Sequence, residues 1–231
     1  MKPEISIVIP ALDEANSIAA TLESLEGFGE SVEIIVVDGG SFDETVSIAR
    51  NFNVKILHSR RGRGIQLQTG ANAANGEILW FVHADTIPAP VCVNQIRTAL
   101  RNKKVVGGNF TIHFGGERMA AKFLTWLYPQ LQFLGLIYGD SAIFVRRDVY
   151  ESVGGFRDYP IFEDLDFVER LRKTGKIITL SAVVTTSSRR FAGKSFILTF
   201  AHWTILQILY WFGIKPETLS KIYFPSQNEK R

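Results

Sequence analysis

Cysteine is almost missing from these 231 residues, and Cys92 stands alone. An intrachain disulfide is thereby excluded, as is a metal cage built from thiolates, and the composition fits a reducing compartment. An excess of one charge is also lacking, since 26 basic and 23 acidic residues leave a net +3. So slight an excess does not require nucleic acid as a partner; an anionic small molecule or a membrane surface accounts for it equally well. Near the N-terminus the apolar run Ile5 to Ile9 stops at Pro10, too short for the core of a secretion signal, so the protein is expected in the cytoplasm. The first loop, PALDEAN from Pro10 to Asn16, has no glycine, which removes both the dinucleotide fingerprint and the phosphate loop from the place they would occupy. What is there is ordinary for a globular protein: 46% hydrophobic residues, enough for one sizeable core.

Glu4 to Ile9, Val32 to Val37, Val54 to Leu57 and Ile78 to Val82 read as buried strands of a mainly parallel sheet. Helices alternate with them, one capped by Asp13 and carrying Ile18, Leu22 and Leu25 on one face, another from about Ile65 to Ala74. Asp38, Gly39 and Gly40 close the second strand. Ser41 with Glu44 reads as a capping box and the glycines permit close backbone approach, which leaves Asp38 without a structural explanation. Arg60, Arg61 and Arg63 crowd between glycines ahead of a helix, a setting that attracts phosphate, although arginine runs are more often solvated loops. His83 and Asp85 follow the fourth strand; a lone Asp ahead of Pro88 and Pro90 would by itself only start a turn. In one twisted sheet these strand ends share an edge, where ligands gather.

The second half holds a helix over Val91 to Leu100 and an alternating strand over Val105 to Phe114. From Phe123 to Gly139 there is no charge, and Pro129 is expected to interrupt any helix. Asp140 precedes a strand, Ala142 to Val145, and reads equally as a turn residue or a pocket acid. In FEDLDFVERLRK, Asp164 heads an apolar helical stripe of Phe167, Val168 and Leu171, so it turns inward, where desolvation makes it a better proton acceptor. Glu163 and Asp166 read as dipole partners of the same helix. Ile177 to Leu180 and Val183 to Thr185 read as late strands, followed by Arg189 and Arg190 beside Phe191. Ser195 to Ile214 is uncharged but interrupted by Thr199, His202, Thr204 and Gln207, so it is expected to lie on a surface and not to span a bilayer. Its aliphatic face, with Ile197, Leu198, Ala201, Ile205, Ile208, Leu209 and Phe212, is expected to dock on the Phe123 to Gly139 segment. Its aromatic face, with Phe196, Phe200, Trp203, Tyr210 and Trp211, would meet lipid or a second subunit; complete burial in the core is the competing expectation.

IVIPALDEA, VVDGGSFDET, GRGIQLQTGANAANGE and FVHADT resemble the successive motifs of family 2 glycosyltransferases of the GT-A fold, most nearly a bacterial subgroup of small single-domain members. Glu163 and Asp164 match that family's ED pair, and Gly154, Gly155 and Phe156 its GGF segment, so the likeness runs from Ile5 to Phe191. It implies an α/β, Rossmann-like fold: a mainly parallel mixed sheet flanked by helices, with a C-terminal hydrophobic helix. It divides the chain into a nucleotide-sugar half (1–112), an acceptor half (113–194) and a C-terminal helical segment (195–224). Donor contacts then fall on Pro10, Ala11, Asp13, Glu14, Asp38, Gly39, Gly40, Arg63, Ala84 and Asp85, with Asp38 on the nucleotide base and Asp85 on a divalent cation, magnesium or manganese. Asp164 becomes the catalytic base with Glu163 beside it, and Asp140, Arg189 and Arg190 lie on the acceptor side. His83 departs from the family's DXD-type pattern, which has an acid there. The implied reaction is inverting, metal-dependent transfer from a nucleotide diphosphate sugar, a UDP-sugar favoured, to a hydroxyl acceptor. A lipid-linked acceptor, peripheral attachment at the inner face of the membrane and a homodimer accompany this reading, with no nucleic acid partner. The rivals are a non-catalytic sugar-nucleotide binding protein and a sugar-nucleotide pyrophosphorylase. The latter would need glycines and a lysine in the first loop.

Overall fold

The computed structural model describes residues 2–116, 119–133, 136–187 and 196–223, so Arg189, Arg190 and Phe191 lie outside the described residues. Strands β1 (Ile5–Ala11), β2 (Val32–Asp38), β3 (Lys55–His58) and β4 (Ile78–Phe81) are parallel neighbours, connected through α1 (Ile18–Leu25), α2 (Thr45–Ala49) and α3 (Arg63–Ala73). Beyond β4 come β5 (Thr86–Pro88), α4 (Cys92–Leu100), β6 (Val105–Gly115), α5 (Met119–Phe133), β7 (Phe144–Arg146), α6 (Arg147–Ser152) and α7 (Glu163–Arg172). The last elements are β8 (Lys176–Ser187), α8 (Phe196–Trp211) and α9 (Pro216–Tyr223). The sheet order is β3-β2-β1-β4-β7-β6-β8-β5. Strand β7 runs antiparallel between β4 and β6, β8 is parallel to β6, and β5 closes the edge antiparallel to β8.

The apolar runs that mark the central strands are buried on both faces of the sheet. Ile5, Ile7 and Ile9 pack with Trp80 and Val82 on one face, while Val8 packs with Leu79 and Phe81 on the other. Each such buried side chain stabilises the fold by about 1.5–3 kcal/mol. Helix α3 presses on it closely, because a Cβ at Gly70 would stand 2.3 Å from Val8 Cγ1. The chain builds β2 and β3 on one side of β1 and returns to the other side as β4. The strand order therefore reverses between β1 and β4, and a crevice opens at their carboxyl ends.

Four local expectations are corrected. Asp13 does not cap α1, which starts at Ile18 with no side-chain cap; Asp13 has φ 54° and its Oδ1 accepts the Phe42 N–H at 2.8 Å. Nor does Ser41 form a capping box with Glu44, since its hydroxyl donates to Asp38 Oδ1 at 2.6 Å, a charged acceptor closer than any helix end, and α2 begins only at Thr45. Pro129 does not break α5. A proline inside a helix costs about 3 kcal/mol. Anchors on both sides outweigh it: Ala121 and Leu124 are buried, Thr125 Oγ1 accepts the Phe114 N–H at 3.0 Å, and Gln132 Nε2 donates to Phe110 O at 2.8 Å. Finally, the two late strands are one, β8, whose Ser181 and Ala182 are taken up by a register shift opposite Phe110 and Thr111.

Helix α8 docks where expected but with its faces largely exchanged. Phe200 meets Phe123 edge-on at 6.3 Å, and Tyr138 donates to Gln207 Oε1 at 2.8 Å. Trp203 and Tyr210 pack on Phe162 at 6.3 and 5.1 Å, and Trp203 on Tyr223 at 4.8 Å. Leu198, Ile205, Ile208 and Phe212 are the exposed ones, at 71%, 56%, 42% and 83%, and of the aromatics Trp211 remains outward. The wall that α8 meets is itself largely aromatic, so flat rings pair with rings; Leu206 and Leu209 pack inward beside them, while Leu198, Ile205 and Ile208 are left outside. No helix among the described residues is long and apolar enough to cross a membrane.

Candidate active site

The carboxyl ends of β1 and β4 open into a cleft of about 1280 Å³. Pro10, Ala11 and Glu14 contribute from the end of β1, Arg63 and Gln66 from α3, and His83, Ala84 and Asp85 from the end of β4; Asp140 adjoins His83, and Glu163 and Asp164 complete the lining beside Arg63. Tertiary contacts fix each part. Gln66 Nε2 donates to both Ala11 O (2.8 Å) and Val37 O (2.9 Å), tying the ends of β1 and β2 to α3. Buried Thr21 donates to Ala84 O at 2.9 Å, and Ser187 donates its N–H to Asp85 O at 3.2 Å. The turn expected at Asp85 does form, with the Thr86 N–H on His83 O at 3.1 Å, but it leads at once into β5.

Asp13, Asp38, Gly39 and Gly40 are not among the residues that line this cleft. Asp38 is buried, and its carboxylate accepts the Ser41 hydroxyl at 2.6 Å and the N–H groups of Gly40 and Ser41 at 3.0 and 3.1 Å. Burial alone would raise its pKa; the hydrogen bonds, led by Ser41, outweigh that and hold it below the ordinary carboxylate range. The arrangement braces the β1 and β2 ends, for Gly39 N–H also reaches Ala11 O at 2.9 Å.

The acidic wall is the N-terminus of α7. Glu163 is 1% exposed and pairs with Arg63 at the start of α3, so it is an ion-pair partner and more than a dipole complement. Asp166 likewise pairs with Arg157 and Arg170 at 2.9 and 2.6 Å. Asp164 is buried, accepting the Gly139 N–H on Oδ2 at 2.7 Å and its neighbour Leu165 N–H on Oδ1 at 2.8 Å. Desolvation first, then the charge of Glu163, pushes its pKa up, and Arg63 and the Gly139 N–H only partly oppose this. Arg63 is the mirror case: burial works against its charge, but Glu163 and Asp164 raise its pKa further, so it stays a guanidinium. Beside them His83 Nδ1 lies 3.0 Å from Asp140 Oδ1. A Cβ at Gly139 would meet His83 Nε2 at 3.1 Å and Asp164 Oδ2 at 3.3 Å, so the glycine keeps this corner open.

The structure thus brings together Pro10, Ala11, Glu14, Arg63, Ala84, Asp85, Asp140, Glu163 and Asp164. Sequence reasoning missed Gln66, Thr21, Tyr138 and Gln207, whose one signal is a polar residue inside an apolar or helical run. Among the described residues, no three His, Cys, Asp or Glu side chains gather to hold a metal by themselves. Asp85 can supply one hard carboxylate oxygen, which fits a cation whose remaining ligands are phosphate oxygens and water.

Comparison with known proteins places this geometry among relatives. The family model described as glycosyl transferase family 2 matches residues 6–154. A probable glycosyltransferase, YdaM of Bacillus subtilis, is 24% identical over 75% of this chain and 47% of its own length. Glycosyltransferase AglE of Haloferax volcanii is 29% identical over 78% and 64%. The chain therefore spans about half to two thirds of these relatives. Among solved structures, the mannosyltransferase PcManGT of Pyrobaculum calidifontis, in complex with GDP-Man and Mn2+, superposes with a TM-score of 0.64 at 20% identity, over 80% of this chain and 57% of that one. The glucosyl-3-phosphoglycerate synthase of Mycobacterium tuberculosis, in complex with Mn2+, UDP and glucosyl-3-phosphoglycerate, gives 0.57 at 24% identity, over 80% of this chain and 70% of that one.

Proposed function

Because the chain belongs to glycosyl transferase family 2, we propose that it transfers a sugar from a nucleotide diphosphate sugar to an acceptor hydroxyl by a single inverting displacement. The observation that carries this reading is that Arg63, Asp85 and the buried Asp164, whose pKa is raised, line one cleft. Residues 1–112 hold the donor, with Pro10, Ala11, Glu14 and Ala84 against it and Asp38, Gly39, Gly40 and Asp13 shaping the nucleotide end. Residues 113–194 hold the acceptor, with Asp140, Arg189 and Arg190 on that side, and 195–224 form the C-terminal cover.

In the transfer step the acceptor oxygen attacks the anomeric carbon while Asp164 takes its proton, and the bond to the diphosphate breaks on the opposite side. Arg63, kept charged by its acidic neighbours, stabilises the negative charge that develops on the leaving diphosphate. Magnesium or manganese held by Asp85 would supply further charge neutralisation there. Glu163 orients Arg63, and Gly139 N–H orients the Asp164 carboxylate. A UDP-sugar is the favoured donor, in keeping with the UDP bound in one structural neighbour, although another carries GDP-Man. Peripheral attachment through the α8 region belongs to the same reading, with a homodimer as the other use of that face.

Calorimetry with manganese and a panel of UDP- and GDP-sugars tests the proposal. One donor should bind with a metal-dependent affinity that Asp85→Ala abolishes. Unchanged affinity and unchanged metal response in that variant would return Asp85 to a structural turn and favour the non-catalytic rival.

A further inference from the structure

The cleft does not end at Asp164. It continues between α5, α8 and α9, where Leu124, Leu131, Leu136, Phe200 and Trp203 replace the charged groups of the donor end. Ile208 and Trp211 line this channel and are also 42% and 54% exposed, so its apolar wall passes without a break onto the outer surface. There it joins two stripes. On α5, Met119, Phe123 and Trp126 are exposed at i, i+4 and i+7; on α8, Leu198, Ile205, Ile208 and Phe212 are exposed at i, i+7, i+10 and i+14. The Phe123–Phe200 contact sets the two helices side by side.

Basic residues flank the stripes: exposed Lys122 adjoins Phe123, exposed Lys215 follows Phe212, and the sequence between Glu169 and Glu217 holds no acid, although Glu117 and Glu217 bound the two stripes. Inside the channel, the Gln207 side chain accepts from Tyr138, yet its Nε2 is buried without a hydrogen-bond partner. A buried amide donor at a mostly apolar wall calls for an oxygen on whatever enters.

Building on the transferase reading, we propose that the acceptor is an amphiphilic alcohol that enters from an anionic bilayer leaflet, on which the α5 and α8 stripes rest. The aliphatic side chains and Trp126 and Trp211 sit at the headgroup boundary, the lysines meet anionic headgroups, and the channel opens toward the leaflet. The tail runs along the apolar wall, Gln207 Nε2 holds a head-group oxygen, and the hydroxyl reaches Asp164. A second copy of the chain is the other occupant the exposed stripes could take, but Ile208 and Trp211 belong both to the outer stripe and to the channel wall, so a copy seated there would close the channel that a leaflet leaves open, and this favours the leaflet.

The test uses the full chain and three readouts. Flotation with phosphatidylcholine vesicles containing phosphatidylglycerol should carry the protein, and pure phosphatidylcholine should carry less. Leu198→Ser combined with Ile205→Ser and Phe212→Ser should abolish flotation while manganese-dependent donor binding stays intact. Brominated phospholipid in the vesicles should quench tryptophan emission, and Trp126→Phe with Trp211→Phe should remove most of that quenching. In the same double variant a brominated long-chain alcohol dissolved in the vesicles should still quench, through Trp203 in the channel, and Gln207→Leu should weaken it. Donor binding without flotation would overturn the inference and leave the transferase reading standing. Flotation without donor binding would overturn the transferase reading and the acceptor assignment with it. Flotation with donor binding but no quenching by the alcohol would overturn the acceptor class. A dimer in sedimentation that the triple variant dissolves would give the stripes to a second copy and overturn the leaflet assignment.

Discussion

Helices α7 and α8 meet at Phe162 and Leu165, yet they are built on opposite principles. Helix α7 carries charge on every turn, and its buried acids are accounted for one by one: Glu163 by Arg63, Asp166 by Arg157 and Arg170, Asp164 by the Gly139 N–H. Helix α8 carries none. A buried charge tolerates few surroundings, so a charged helix can be turned only one way. An uncharged helix whose faces are aliphatic on one side and aromatic on the other gains a similar amount from burying either, and the shape of its neighbours decides. That is why the inward turn of Asp164 is legible in the sequence while the facing of α8 is not.

The sharpest way to press this contrast is at Asp164. Asp164→Asn should keep the fold and donor binding and lose about 10²-fold to 10⁴-fold in transfer rate, measured as nucleoside diphosphate release with acceptor present. Near wild-type transfer would move the base elsewhere, with Glu163 or Asp140 next. On α8 the comparable loss is one of stability: Leu206→Ala, at the buried contact with Ile161 and Leu219, should cost about 2–5 kcal/mol in urea unfolding. A loss as small as that of an exposed site would mean that α8 is not seated as described.

A smaller effect is expected at the α3–α7 bridge. Glu163→Gln leaves Arg63 with Asp164 as a remaining partner, so a stability loss of about 1–3 kcal/mol is expected, accompanied by weaker donor binding. Donor affinity that does not move would detach Arg63 from the diphosphate.

The pH dependence separates the two helices further. Asp164 is raised in the folded protein, so its contribution favours folding below the unfolded value of about 3.9 and is lost as pH climbs through the raised folded value. Asp164→Asn should therefore be more stable than wild type at neutral pH, with the advantage vanishing in acid. The transfer rate has the same cause and the other sign, falling as pH drops through that raised value, earlier than an exposed aspartate would allow. Thermal melts and rate profiles across pH 4 to 8 check both, and a variant no more stable at neutral pH would contradict the burial of Asp164. The smallest effect belongs to the outer face of α8: Leu198→Ser and Phe212→Ser should each change stability by no more than about 0.5 kcal/mol. A larger loss would show that face to be covered, and the contrast between the helices would fail.

The scaffold, and the order of polar groups along it, can be read directly from the residues. Continuous apolar runs fixed β1, β2 and β4 because burial on both faces is a local requirement on each residue. The strand ends fixed Ala11, Asp38 and Asp85 at one edge because parallel strands point the same way. Which polar groups meet is set by long-range packing. Ser41 turned to Asp38 instead of a helix end, Pro129 was carried through α5 by anchors from β6, and Gly139 was set between His83 and Asp164 by packing that joins distant segments. The apolar pattern is written residue by residue, since each side chain meets water or core wherever it lies. A hydrogen bond needs a second partner at about 3 Å, and for residues far apart in the chain that distance exists only once the whole fold has formed.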